Sequence, residues 1–414
     1  MPHKNIELCL ASPVLYPARG GAEIRFLRYL PGLNQRGINV RIFSGTPKAK
    51  KITEHDRTQD WYRIPAGSLL PDIFELDVPI HRVRLPDQTS WRRVAIFNQA
   101  LLRHCLKSER RPDIIQLIEP LSPLAAPWLW RLKKLDIVRA FAYTLPYELP
   151  TGEVKRALRI SALKILYSQL DRMITSSVAT RAHASGLGLS PRTAVIPNGV
   201  DLQRFQPIPG SAKKALRSTL GLGEIDRMMI TVGSIIPRKG IDLLLESWQT
   251  LSKRFPDLHF VLVGPRNDEK DPKLSLFNRK LTELVDASGA GDRVHFTDRV
   301  QNVEAYLQAA DLFVFASERE GMGNVVLEAM ASELPVVLTP FVGLPPDFGE
   351  PSDQYLLSDR NTTSIVENVS ELLQNHGLSR KLAISGRKWV ENTMDLERIL
   401  DQYAELYYAM SGRK

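Results

Sequence analysis

Two carboxylates, Glu320 and Glu328, are separated by seven residues in the stretch EREGMGNVVLEAMAS, which runs from Glu318 to Ser332. A carboxylate accepts two hydrogen bonds from a vicinal diol, so a ribose is a natural partner for such a group. The run before it, DLFVFAS from Asp311 to Ser317, is short and apolar and reads as a buried parallel strand. Gly321 and Gly323 then make a loop without bulky side chains, and Asn324 stands where the N-cap of a following helix belongs. A strand, glycine loop and helix start present backbone N–H groups and the positive end of a helix dipole, which suits a diphosphate. Glu320 falls at the strand's C-terminal edge. Glu328, four residues after Asn324, lies on nearly the same helical face. The same spacing also fits two solvated charges at a helix edge.

The elements that would position these groups form two α/β series. Apolar Ile6–Leu10, a Pro and Gly loop through Gly20 and Gly21, a helix from Ala22 to about Arg36 and a strand Val40–Phe43 make a βαβ unit. Further strands are expected at 114–118, 138–143, 173–175 and 194–196, and the alternation with helices implies a parallel sheet covered on both faces. Around 197–210 proline and glycine become dense and periodicity is lost, as in a linker. The second series has strands at 228–232, 260–263, 294–296, 312–315 and 336–338, alternating with helices at 240–255, 274–287, 303–309, 325–332 and 364–374. The tail 396–410 carries a helical stripe of Leu396, Ile399, Leu400, Tyr403, Leu406 and Tyr407.

The 414 residues suit two domains rather than one core, and no apolar run approaches the roughly 18 residues of a membrane-spanning helix. The N-terminus lacks a signal-peptide pattern, so a cytoplasmic location is expected. Cys9 and Cys105 sit in apolar contexts without metal-ligand spacing and read as reduced core residues. His104 and His183 likewise lie outside any ligand spacing. Charge is uneven: residues 1–200 hold 30 Lys and Arg against 16 Asp and Glu, whereas 201–414 hold 25 against 30. A basic half implies an anionic partner. The segments Trp128–Leu135, which mixes indoles with cations, and Glu153–Leu166, a basic amphipathic helix, both suit an anionic membrane surface. Each also fits an ordinary surface helix whose apolar stripe joins the core.

Five motifs in order give the chain a resemblance to the family-4 retaining glycosyltransferases of the GT-B fold: Gly20-Gly-Ala-Glu23 with Arg36-Gly-Ile-Asn-Val40, Pro197-Asn-Gly-Val-Asp201, Pro237-Arg-Lys-Gly-Ile-Asp242, Ala310-Asp-Leu-Phe-Val-Phe315 and the paired-glutamate stretch. The resemblance implies an α/β architecture of two doubly wound Rossmann-like domains facing a central cleft. An acceptor-binding domain would span 1–205, a nucleotide-sugar domain 206–393, and a C-terminal helix over 394–414 would return to the first domain. It implies transfer of a sugar, with retention, from a nucleotide diphosphate sugar to a membrane-associated, lipid-linked or polysaccharide acceptor. Glu328 would bind the ribose hydroxyls and Glu320 the donor sugar, with Gly321, Met322, Gly323 and Asn324 helping to hold sugar and diphosphate. Lys239 and Arg238 would neutralise the departing diphosphate. Gly20 and Gly21 would approach the ligand closely, Gly233 and Ser234 would line the donor site, and backbone near Val300 would meet the base.

The chain departs from the family pattern at four places. Ile118 stands where a histidine is common, Ser234 where an arginine is frequent, Glu333 where glycine usually ends the helix, and Asp347 near a position more often glutamate. Retention in this fold does not require that histidine, because the departing phosphate oxygen can accept the acceptor's proton. With no Asp-x-Asp pair of the metal-dependent kind, neither metal nor other cofactor is expected. Peripheral attachment to the inner membrane face is compatible with the basic half, whereas nucleic-acid binding lacks a supporting motif. The competing readings are a non-catalytic nucleotide-sugar-binding subunit and a sugar-nucleotide epimerase of similar architecture.

Overall fold

The structure, a computed structural model, describes residues 5–13, 21–45, 62–63, 77–78, 80–83, 85, 91–108, 110–118, 122–144, 149–189, 192–223, 227–266 and 272–412. The chain divides into two compact units, Met1–Pro197 with Glu397–Lys414, and Asn198–Leu396.

The first unit holds strands β1 (Ile6–Ser12), β2 (Ile38–Gly45), β3 (Tyr62–Arg63), β4 (Asp77–Val78), β5 (Ile80–Val83), β6 (Ile114–Ile118), β7 (Val138–Tyr143), β8 (Arg172–Thr175) and β9 (Thr193–Val195). Its helices are α1 (Gly21–Gln35), α2 (Trp91–Lys107), α3 (Ala126–Lys133), α4 (Glu153–Tyr167) and α5 (Val178–Gly186), with a single 3-10 turn at Pro123–Ala125. β3 and β4 pair antiparallel, while the seven-stranded sheet is parallel throughout, in the order β5-β2-β1-β6-β7-β8-β9. All five residues of β6 are buried, which is why its sequence shows no polar alternation.

One face of this sheet is covered by α2, the 3-10 turn, α3 and α4, whose Leu101, Leu129, Leu163 and Leu166 share a core with Cys9, Phe43, Ile115 and Phe141. Burial pushes the Cys9 thiol well up and that of Cys105 to about 12, in keeping with core packing. On the opposite face lies the C-terminal helix, Leu396–Ser411. Ile399, Leu400, Tyr403 and Tyr407 of the expected stripe are buried. Tyr403 packs at 6.0 Å from Phe26 and 5.7 Å from Tyr29 of α1, and Tyr407 donates a 2.7 Å hydrogen bond to Gln116, the β6 residue pointing away from Ile115. Arg36 closes the junction with ion pairs to Glu397 and Asp401 at 2.9 and 2.7 Å.

The second unit carries β10 (Arg227–Val232), β11 (Leu258–Val263), β12 (Val294–Phe296), β13 (Leu312–Phe315), β14 (Val336–Leu338) and β15 (Leu356–Leu357), all parallel, in the order β12-β11-β10-β13-β14-β15. Helices α6 (Gly210–Thr219), α7 (Ile241–Arg254), α8 (Pro272–Ala287), α9 (Val303–Ala309), α10 (Asn324–Ala331), α11 (Thr362–Gln374) and α12 (His376–Thr393) complete it. Alternation along β13 splits the core. Val314 joins Leu245, Trp248 and Ile365 on one face, and Phe313 and Phe315 join Val326, Met330 and Val390 on the other. Val200 bonds Met394 and Leu396 through its backbone at 2.8 and 3.0 Å, so the segments entering and leaving this unit run side by side.

Candidate active site

β10 and β13 are hydrogen-bonded neighbours from which the strand order runs outward in opposite directions, first towards β11 and then towards β14. In an open parallel sheet, the carboxyl ends at such a switch point are where ligands bind. The chain after β10 passes Gly233 and Ser234 and forms a single 3-10 turn, Pro237–Lys239, capped by Gly240. The chain after β13 passes Ser317 and reaches Glu320. Backbone bonds lock the two segments together, with the Glu318 amide donating to Arg238 O at 2.8 Å.

Three donors converge on one oxygen of Glu320. Its Oε1 accepts from Lys239 Nζ at 2.6 Å, Ser317 Oγ at 2.5 Å and Arg238 Nη1 at 3.1 Å. Arg238 also donates to the Arg319 carbonyl. The side chains of Lys239 and Glu320 are only 14% and 15% exposed, so the ion pair is screened far less than a surface pair. Two cations against one carboxylate leave this cluster positive. Lys239 Nζ also lies 5.5 Å from the ring centroid of Phe315, and a Cβ on Gly233 would meet its Cε at 3.3 Å.

Glu320 is fixed from behind as well. Its amide donates to Val342 O at 2.9 Å, and the Val342 amide donates to Glu318 O at 2.8 Å. The next residue, Gly343, has φ of 102°, and a Cβ there would lie 1.9 Å from the Glu320 carbonyl oxygen. Only glycine permits that approach. Arg360 reaches in from after β15 to the Ala316 carbonyl, and to Glu318 at 3.1 Å.

The helix beside this cluster starts one residue earlier than expected. Its N-cap is Gly323, left-handed at φ 73°, and Asn324 is the first helical residue rather than the cap. The reason is tertiary: the Asn324 side chain accepts from Asn198 Nδ2, and the Asn198 amide donates to Met322 Sδ at 3.3 Å. The amino end of α10 still carries the positive end of its dipole. Met322 is buried in the core, so only its backbone is available to a ligand, while Gly321 and Glu328 are half-buried. At the other end of α10, Glu333 adopts φ 56°, the left-handed conformation that costs a non-glycine residue roughly 1 kcal/mol.

The remaining expected residues are distributed as follows. Ser234 is half-buried just past β10, and Val300 is half-buried against the core that holds α10. Ahead of Val300, Asp298 has φ 58° and pairs with Gly264, while Arg266 lies 4.5 Å from the Phe296 ring centroid. Gly21 opens α1, and Gly20 lies outside the described residues. Ile118 is buried at the end of β6. Ser317, Gly343, Arg360 and Asn198 were not singled out from sequence. For Ser317 a signal existed, namely its position as the last residue of the apolar run, three before Glu320.

Sequence profiles of two families match the chain: "Glycosyl transferase 4-like domain" over residues 20–199 and "Glycosyl transferases group 1" over residues 226–375. The GDP-mannose-dependent alpha-(1-6)-phosphatidylinositol monomannoside mannosyltransferase of Mycolicibacterium smegmatis is 28% identical over 264 residues, covering 61% of this chain and 65% of that protein. Across the first curated relatives, the match spans about two fifths to two thirds of their length. Among solved structures, sucrose-phosphate synthase from Thermosynechococcus elongatus gives a TM-score of 0.78 at 21% identity, covering 99% of this chain and 100% of that one. Anabaena HepE, solved in complex with UDP and glucose, gives 0.73 at 17%, covering 98% and 100%. The fold is that of the GT-B glycosyltransferases. With both family profiles in their expected order, the chain belongs to the family-4-type glycosyltransferases.

Proposed function

We propose that this protein transfers a sugar from a nucleotide diphosphate sugar to a lipid-linked or polysaccharide acceptor, with retention at the anomeric carbon. The observation that carries this reading is the convergence of Lys239, Arg238 and Ser317 on Glu320 Oε1 at the switch point beside the amino end of α10. A donor diphosphate placed there meets the helix dipole and two cations. As the glycosyl bond breaks, charge grows on the departing phosphate, and preorganised cations favour that state over the ground state. Glu320 accepts hydrogen bonds from the donor sugar, and Glu328 from the ribose diol. The departing phosphate oxygen takes the acceptor's proton on the same face, which keeps the anomeric configuration.

Because side-chain cations supply this neutralisation, transfer proceeds without a bound divalent ion and persists in a chelator. Support for a nucleotide sugar also comes from the relatives, one named for GDP-mannose and another solved with UDP and glucose. Incubation with UDP- and GDP-sugars, followed by NMR of the released or transferred sugar, tests the reading. Transfer with an inverted anomer contradicts retention. Absence of both transfer and donor hydrolysis favours the non-catalytic binding subunit, the reading to which buried Ile118 in place of a histidine lends weight. Among the described residues no helix is long and apolar enough to cross a membrane.

A further inference from the structure

Asn198, the first residue of the second unit, is 6% exposed and touches the residues on both sides of left-handed Gly323. Its backbone amide donates to Met322 Sδ at 3.3 Å, and its side-chain Nδ2 donates to Asn324 Oδ1. A carboxamide has an acceptor end and a donor end, so a partner that takes one end settles which end is left to present. With its Oδ1 taken, half-buried Asn324 keeps an Nδ2 that has no partner among the described residues and is not sealed from solvent. Turning both amides over would preserve the contact, but it would bury a bare amide donor of Asn198 where its Oδ1 now lies buried without a partner. Bare buried N–H groups are rarer than under-satisfied carbonyls, which favours the orientation observed. The Asn324 side chain caps nothing, since Gly323 is the N-cap of α10 and no side-chain cap bond is made there.

We propose that Asn198 is a positioning residue for the donor site: it holds the Asn324 carboxamide with Nδ2 turned to the ligand, so that Asn324 donates to a phosphate oxygen of the nucleotide. The proposal rests on the donor reading given above. Glu328 stands one turn further along α10, on nearly the same face and about 6 Å along the axis. A nucleotide whose ribose meets Glu328 therefore brings its diphosphate to Asn324, at the amino end of the helix. A free carboxamide would present its oxygen there as readily as its nitrogen, and the oxygen repels a phosphate. Asn198 removes that alternative before the ligand arrives, which lowers the ordering cost of binding. A pair that only anchored the entering chain to α10 would contribute to stability and leave phosphate recognition untouched.

The test is calorimetric titration of UDP and GDP into the full chain, paired with thermal scans. Asn324→Asp still offers Asn198 Nδ2 an acceptor and suits the amino end of a helix, so the melting temperature should hold or rise. An outward oxygen then replaces the donor, and affinity for the nucleotide that binds should fall about tenfold or more. Asn324→Ala and Asn198→Ala should each weaken binding about threefold to tenfold with the salt dependence kept, because the donor they remove is neutral. The contact to Met322 is made by the backbone of Asn198 and survives the second change. The double alanine variant should bind within about twofold of Asn324→Ala, since Asn198 acts through that side chain. Undiminished affinity in Asn324→Asp, or additive losses in the double variant, overturns the proposal and leaves the donor reading standing. Binding of neither nucleotide to the wild type overturns both.

Discussion

Lys239 Nζ lies 2.6 Å from Glu320 Oε1, within a cluster that is mostly shielded from water. The pair joins the ends of two neighbouring strands, so on the proposed reading a diphosphate arriving at the amino end of α10 meets a cation already oriented. On that reading Lys239 and Arg238 both turn towards the diphosphate, and Ser317 remains to hold Glu320 in place.

On this account Lys239→Ala lowers kcat by about 10²–10³-fold with a smaller change in KM, because the charge it meets grows in the transition state. Lys239→Arg restores part of the rate. Equal loss in kcat and kcat/KM would agree with the account. A pure KM effect, measured by initial rates with varied donor, would not.

Glu328→Ala removes a charged acceptor proposed for the ribose diol. The expected result is a loss of nucleotide affinity of about tenfold to a hundredfold, with little change in the unliganded melting temperature. Calorimetric titration with the free nucleoside diphosphate measures the first, and a thermal scan the second.

Gly343→Ala forces a Cβ into the Glu320 carbonyl at a backbone angle that L-residues avoid. Its cost is about 1–3 kcal/mol of stability, with donor affinity falling as well, because the loop that fixes Glu320 must shift. An unchanged chemical denaturation midpoint would contradict the packing described for this turn.

His259 and His295, on β11 and β12, stack with Nδ1 3.0 Å from the other ring's Nε2. Burial holds both below the ordinary histidine range, and for His259 the neighbouring His295 adds to this. The unfolded chain therefore takes up protons before the folded one does as pH falls. Stability contributed by the neutral pair is present above about pH 6.5 and is lost as pH drops from there through the folded values. Melting temperature should decline on acidification below neutrality, and His295→Asn should flatten that slope. An identical slope in the variant would place the effect elsewhere.

How much was legible in the sequence depended on whether the signal was local. Val294–Phe296, Leu312–Phe315, Val336–Leu338 and helix Val303–Ala309 fall where apolar runs and turn residues place them. The glycine loop and both glutamates were visible for the same reason. The partners that set Glu320 were not. Arg360 arrives from 42 residues beyond Glu318, and Gly343 acts through a backbone approach rather than a side chain. Asn324 looked like a helix cap by type, yet its side chain is taken by Asn198, 126 residues earlier, and a left-handed glycine caps instead.

Calorimetric titration of UDP and GDP into the wild-type chain and into the Arg238→Ala, Lys239→Ala double variant tests the central claim most directly. The account predicts that one of the two nucleotides binds the wild type, and that the double variant binds it at least about tenfold more weakly with a reduced dependence on salt. Undiminished affinity in the double variant, or no binding of either nucleotide to the wild type, would contradict it.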